Sequence, residues 1–115
     1  MVNDEIKRIN EKLHEIVNPH KIYLFGSYAN NTNTSDSDYD FYLTVSDDAG
    51  DIIDLTQKAY KALRGIRTRP VDIVINYESS FKNRKNSETL EKTVVKEGIL
   101  LYAEWKNSSR MDWFY

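Results

Sequence analysis

Between Asn3 and Val17 the apolar residues Ile6, Ile9, Leu13, Ile16 and Val17 recur at helical spacing with charged residues between them. The pattern predicts an amphipathic helix, capped by Asn3 or Asp4 and ended by Asn18-Pro19. The period then changes. Lys21-Ile22-Tyr23-Leu24-Phe25 is β-branched and aromatic, which predicts a strand, and residues 27–37 are polar, which predicts a loop. Asp38-Tyr39-Asp40-Phe41-Tyr42-Leu43-Thr44-Val45 reads as a second strand. Strand side chains alternate, so Asp38 and Asp40 share one face while Tyr39, Phe41, Leu43 and Val45 share the other.

A turn over residues 46–50 leads to a second helix, from about Asp51, its cap, to Ile66, with Ile52, Leu55, Ala59, Ala62, Leu63 and Ile66 as its apolar face. A third strand spans Pro70 to Asn76, with Pro70 tolerated in first place. Val71, Ile73 and Ile75 fall on one face of it, and Asp72, Val74 and Asn76 on the other. The run from Tyr77 to Asn86 is polar except for Phe81 and predicts a loop or a short irregular helix. A third helix opens at Ser87 as cap and stops at Gly98, before a short strand from Ile99 to Tyr102. Tyr23, Phe25, Tyr39, Phe41 and Tyr60 are expected in or beside the core. This order of elements predicts an α+β fold, one small sheet of about four strands with helices packed on it. Residues 1–102 are expected to form one domain. Residues 103–115, which hold Trp105, Trp113, Phe114 and Tyr115, are expected to be a tail that is disordered or docks on a partner.

Composition narrows the partners. The chain has 115 residues, 40% of them hydrophobic, which suits a single domain. Its 16 basic and 18 acidic residues leave a net charge of -2, which argues against a grip on a nucleic-acid backbone. There is no cysteine, hence no disulfide or thiolate metal site. The start of the chain has neither the basic residues nor the apolar run of a signal peptide, so the expected location is cytoplasmic. No segment approaches the ~20 apolar residues needed to span a bilayer, so no membrane association is expected. His14 and His20 are expected on the surface rather than in a site.

The candidate chemistry lies between the first two strands. Gly26-Ser27 follows the first strand, where backbone N–H groups, the Ser27 hydroxyl and a side-chain-free glycine can meet a phosphate. Asp38 and Asp40 follow, with Asp72 presented in the same way on the third strand; Asp36 belongs to the loop and is left out. Three Asp on neighbouring strands suit Mg²⁺, which takes oxygen ligands and shares them with phosphates and water. Two such ions roughly 3.5 to 4 Å apart can activate an attacking oxygen and neutralise a leaving pyrophosphate, which nucleotidyl transfer requires. Asp72 could also take the proton from an incoming hydroxyl. The cluster at residues 82–85, Lys-Asn-Arg-Lys, reads as a solvated loop or a contact for a nucleotide or an acidic partner.

As a set, Gly26, Ser27, Ala29, Ser37-Asp38-x-Asp40 and Val71-Asp72-Ile73-Val74 resemble the minimal nucleotidyltransferases of the DNA polymerase β-like superfamily. The resemblance runs from the first helix to Tyr102 and implies a palm-like fold. It implies that Asp38, Asp40 and Asp72 bind Mg²⁺, as two ions, while Gly26 and Ser27 hold the triphosphate of ATP. Many small members sit beside a HEPN-domain toxin and neutralise it by adenylylating one of its tyrosines, so the resemblance implies a HEPN-type partner and antitoxin activity. Where such proteins often carry a glycine or a basic residue after the Ser, this chain has Tyr28, Asn30 and Asn31; Arg67 or Arg69 is the candidate for the missing charge. Two other readings stay open: a non-catalytic module that neutralises its partner by contact, and transfer to a small acceptor. A homodimer or hetero-oligomer is compatible with each.

Overall fold

The computed structural model describes residues 2–103; the aromatic tail beyond them lies outside the described residues. Helix α1 runs from Asp4 to Val17. Of the two candidate caps it uses Asn3, whose Oδ1 accepts the Ile6 N–H at 2.8 Å. Ile6, Ile9, Leu13 and Val17 are buried, whereas Ile16 turns outward. Asn18 ends the helix in the left-handed region, at φ 53°, and bonds back to the His14 carbonyl.

Strand β1 (Lys21–Phe25) leads to a single helical turn, α2 (Ser27–Asn30), inside the segment expected to be loop. Strand β2 spans Tyr39–Val45, so Asp38 stands just ahead of the ladder rather than in it. Helix α3 (Ile52–Ala62) is capped by Asp51, whose Oδ1 accepts the Ile53 N–H at 2.8 Å. It ends one turn before Ile66, and the remaining apolar positions reach the core through turns.

Strand β3 (Val71–Tyr77) passes directly into helix α4 (Glu78–Arg84), which is regular where a loop or an irregular helix was expected. Its anchor Phe81 is buried, and Glu78 in its first turn and Lys82 and Arg84 in its last oppose the helix dipole favourably. Helix α5 (Leu90–Glu97) is capped by Thr89 instead of Ser87. Thr89 Oγ1 both accepts from Lys92 N–H and donates to the Arg84 carbonyl at 2.7 Å, which joins α5 to the end of α4. Strand β4 (Ile99–Ala103) extends one residue beyond the expected Tyr102.

The sheet order is β3-β2-β1-β4. β1 is antiparallel to β2 and to β4, and β2 is parallel to β3. Helices α1 and α3 cover one face, where Ile6, Leu13, Ile22, Phe41, Leu43 and Ile73 belong to the main core. Each such fully buried side chain contributes roughly 1.5–3 kcal/mol. The other face carries a smaller core of Tyr42, Phe81 and Val94, with Tyr23, Phe25 and Val74 against it. Tyr60 differs from expectation: the residue is 37% exposed, and its hydroxyl accepts the Ile73 N–H of edge strand β3 at 2.9 Å. The two histidines are half-buried; His14 packs on Tyr102 with ring centroids 4.3 Å apart. Among the described residues no helix is long and apolar enough to cross a membrane.

Candidate active site

Register brings the carboxylates together. Asp40 pairs with Phe25 at the end of β1 and with Asp72 across the parallel β2–β3 ladder. Strand alternation puts both carboxylates on the face away from the main core. Asp72 acts on Asp40 from the neighbouring strand, and Asp38 acts on it through its charge. Asp40 is pushed up to about 6, first by burial, then by the negative charge of Asp72, and last by Asp38. Asp72 is exposed and Asp38 half-buried.

Gly26 has φ 74° and ψ -154°, a conformation essentially confined to glycine. A Cβ added there would collide with Asp40 Oδ2. The missing side chain at Gly26 thus leaves room for a carboxylate of the site itself. Ser27 follows at the start of α2, where the first amides have no intrahelical acceptor. Asn31 closes the turn in the left-handed region at φ 63°, its N–H on the Ser27 carbonyl, so it does the work of a glycine there.

The residue after Ser27 does not face a ligand. Tyr28 is buried, its ring 4.7 Å from that of Tyr39. Arg69 caps the pair: its Nη1 donates to Tyr28 OH at 2.5 Å, the Ser35 carbonyl at 3.3 Å and the Ser37 carbonyl at 3.2 Å. Its guanidinium lies 5.6 Å from the Tyr28 ring centre and 5.2 Å from that of Tyr39. Arg69 therefore ties the 31–37 loop to the base of β3 instead of standing open to an anion, and Arg67 donates to the Arg69 carbonyl at 3.2 Å.

Glu5 completes this clasp. It accepts from Tyr39 OH at 2.7 Å, from the Thr68 N–H and from Thr68 Oγ1 at 2.8 Å. Burial opposes its charge, but the bonds from Tyr39 and Thr68 and the charge of Arg69 prevail, and its pKa is lowered. Sequence reasoning missed Tyr28, Arg69 and Glu5 as the frame of the site, because their partners are tens of residues away. Asp36 stays exposed in the loop, as expected, with its N–H on Thr34 Oγ1 at 3.3 Å.

Among the described residues no group of three or more His, Cys, Asp or Glu is disposed to hold a metal ion. The arrangement is a pair of facing carboxylates with a third beside it. Its chemistry nevertheless fits a hard divalent cation: the donors are all carboxylate oxygens, and Asp40, raised first by burial, also feels the negative charges of Asp72 and Asp38. Asp38, Asp40 and Asp72 are the side chains that could hold one.

A family model described as a nucleotidyltransferase domain matches residues 5–101. The chain belongs to this nucleotidyltransferase family. Gly26, Ser27, Asp38, Asp40 and Asp72 all fall inside the match. Solved structures agree in fold. A toxin-antitoxin with AMP-PNP is 26% identical, with a TM-score of 0.56 over 93% of this chain and 79% of that one. The toxin-antitoxin MntA-HpeT carrying a tyrosine-to-alanine change is 27% identical, with a TM-score of 0.61 over 95% and 79%. A Sulfolobus solfataricus protein described as a nucleotidyltransferase is 21% identical and shares the fold, with a TM-score of 0.52 over 92% and 93%. None of the curated proteins compared matches the chain.

Proposed function

We propose that this nucleotidyltransferase domain moves AMP from ATP to a hydroxyl, the tyrosine of a HEPN-type toxin, and thereby acts as that toxin's antitoxin. The observation that carries the reading is the Asp40–Asp72 pair, with Asp38 beside it, at the mouth of the Gly26-Ser27 turn. The likeness to toxin-antitoxin structures, one of them with AMP-PNP, supports the choice of partner and nucleotide.

In this reading Gly26 and Ser27 receive the triphosphate, and Ser27 holds it without acting as a nucleophile. Mg²⁺ bound by Asp38, Asp40 and Asp72 would neutralise the triphosphate and the leaving pyrophosphate. Asp72, the exposed member of the set, takes the proton of the acceptor hydroxyl. The acceptor oxygen forms a bond to the α-phosphorus as the bond to the bridging oxygen breaks, and the electron pair leaves with pyrophosphate. The test is mass spectrometry of the neighbouring gene's product after incubation with this protein, ATP and Mg²⁺. One AMP is added by the wild type and none by Asp40→Asn; a wild-type protein that adds nothing sinks the proposal.

A further inference from the structure

Asp40 and Tyr42 are two residues apart on β2 and share a face of the sheet. Past the carboxylates this face becomes the smaller core under α4 and α5, and a charge is buried in it. Glu91 is 3% exposed; it accepts from Tyr42 OH at 2.6 Å and from Arg84 Nε at 2.9 Å. An ionised carboxylate is costly to bury, and an apolar side chain of similar size would fill the space without that penalty. Its evident effect is on Arg84. A guanidinium gripped through Nε keeps its Nη1/Nη2 edge for another partner, in the planar fork that matches phosphate oxygens. The Arg84 side chain is 53% exposed, so that edge is within reach of solvent.

The course of α4 says where Arg84 points along the sheet. At the helix start, Glu78 lies 3.7 Å from Lys21, which pairs with Thr44 at the end of β2 remote from the carboxylates. Phe81 packs on Tyr23 and Tyr42, which pair mid-sheet. The helix is thus heading towards the Phe25–Asp40 end. Arg84, about 4.5 Å further along the axis than Phe81, comes level with the stretch between Tyr42 and Asp40.

A triphosphate needs more positive charge than the loop beside Ser27 presents. Tyr28 is buried there, and Arg69 is engaged with the Ser35 and Ser37 carbonyls. We infer that Arg84, positioned by the buried Glu91, binds the outer phosphates of the nucleotide. This rests on the nucleotidyltransferase reading and gives it a phosphate contact outside the Gly26-Ser27 turn.

Calorimetric titration with Mg·AMP-PNP and with AMP, without acceptor, tests it on the full chain. The wild type binds Mg·AMP-PNP; Arg84→Ala weakens that binding by about tenfold or more, and Arg84→Lys recovers only part of it. AMP, which lacks the outer phosphates, binds to the wild type and the Arg84 variants alike. Glu91→Gln keeps the shape of the side chain but not its charge, and weakens Mg·AMP-PNP binding less than Arg84→Ala does. Circular dichroism of each variant establishes that it is folded. Wild-type affinity for Mg·AMP-PNP in folded Arg84→Ala overturns the assignment, as does equal weakening of AMP; wild-type affinity in folded Glu91→Gln overturns the positioning role. A wild-type protein that binds no Mg·AMP-PNP overturns instead the nucleotidyl-transfer reading beneath it.

Discussion

Asp40 and Asp72 face each other across the parallel β2–β3 pair, and the negative charge of Asp72 adds to the burial that raises the pKa of Asp40. Two carboxylates this close disfavour being charged together. The site is therefore held in readiness for a proton or a cation, and its response to each is measurable.

The pH dependence follows from the sign of the Asp40 shift. Its pKa rises from 3.8 unfolded to about 6 folded, so the fold favours the protonated carboxyl. The stabilisation is fully present below the unfolded value and is lost as pH rises through about 6. Allowing for solvent screening, the loss amounts to ~1–2 kcal/mol. Thermal melts of the wild type should show Tm falling across this window. Asp40→Asn should flatten the slope and melt higher than the wild type at neutral pH.

Mg²⁺ should act in the opposite sense to that lost proton. At pH 7.5, roughly 10 mM Mg²⁺ should raise the wild-type Tm through binding to the folded state alone. Asp40→Asn and Asp72→Asn should lose most of the increase in differential scanning fluorimetry. An equal increase in all three proteins would place the ion elsewhere.

Gly26→Ala should destabilise by ~1–3 kcal/mol, because it combines a strained positive φ with a Cβ driven into Asp40. Gly65→Ala, with open space around it, is the control and should be within about 0.5 kcal/mol of the wild type. Urea denaturation gives both values.

Arg69→Lys keeps the charge but cannot reproduce three hydrogen bonds and two ring contacts through one planar group. Amide hydrogen exchange over residues 31–37 should speed up in Arg69→Lys and more so in Arg69→Ala, while α1 stays protected. Unchanged exchange in that loop would show that Arg69 does not hold it.

Several elements were legible because the information is local. The period of Ile6, Ile9 and Leu13, the Asp51 cap and the alternation in β2 that turns Asp40 away from Phe41 and Leu43 follow from neighbouring residues, whereas Asp38, expected in the strand, stands just ahead of it. Helix α4 was harder to read: its one apolar residue gives no period, and it forms because Phe81 finds Tyr23 and Tyr42 on strands far away in the chain. The same holds for the N-cap of α5, where Thr89 gains the Arg84 carbonyl as a second partner.

For the site, the sequence by itself determined which carboxylates exist, which way β2 and β3 aim them, and that a glycine and a serine stand at the end of β1. Strand alternation and turn chemistry suffice for that. Only the tertiary structure decided that Asp40 meets Asp72, that Gly26 makes room for Asp40, that Arg69 clamps the loop and that Glu91 holds Arg84. Those relationships depend on strand register and on the course of helices over the sheet, which arise from packing between segments 30 or more residues apart for the first and third of them and 14 residues for Gly26 and Asp40. Glu91 and Arg84 are only seven residues apart, yet their bond forms because α4 and α5 close over Tyr42.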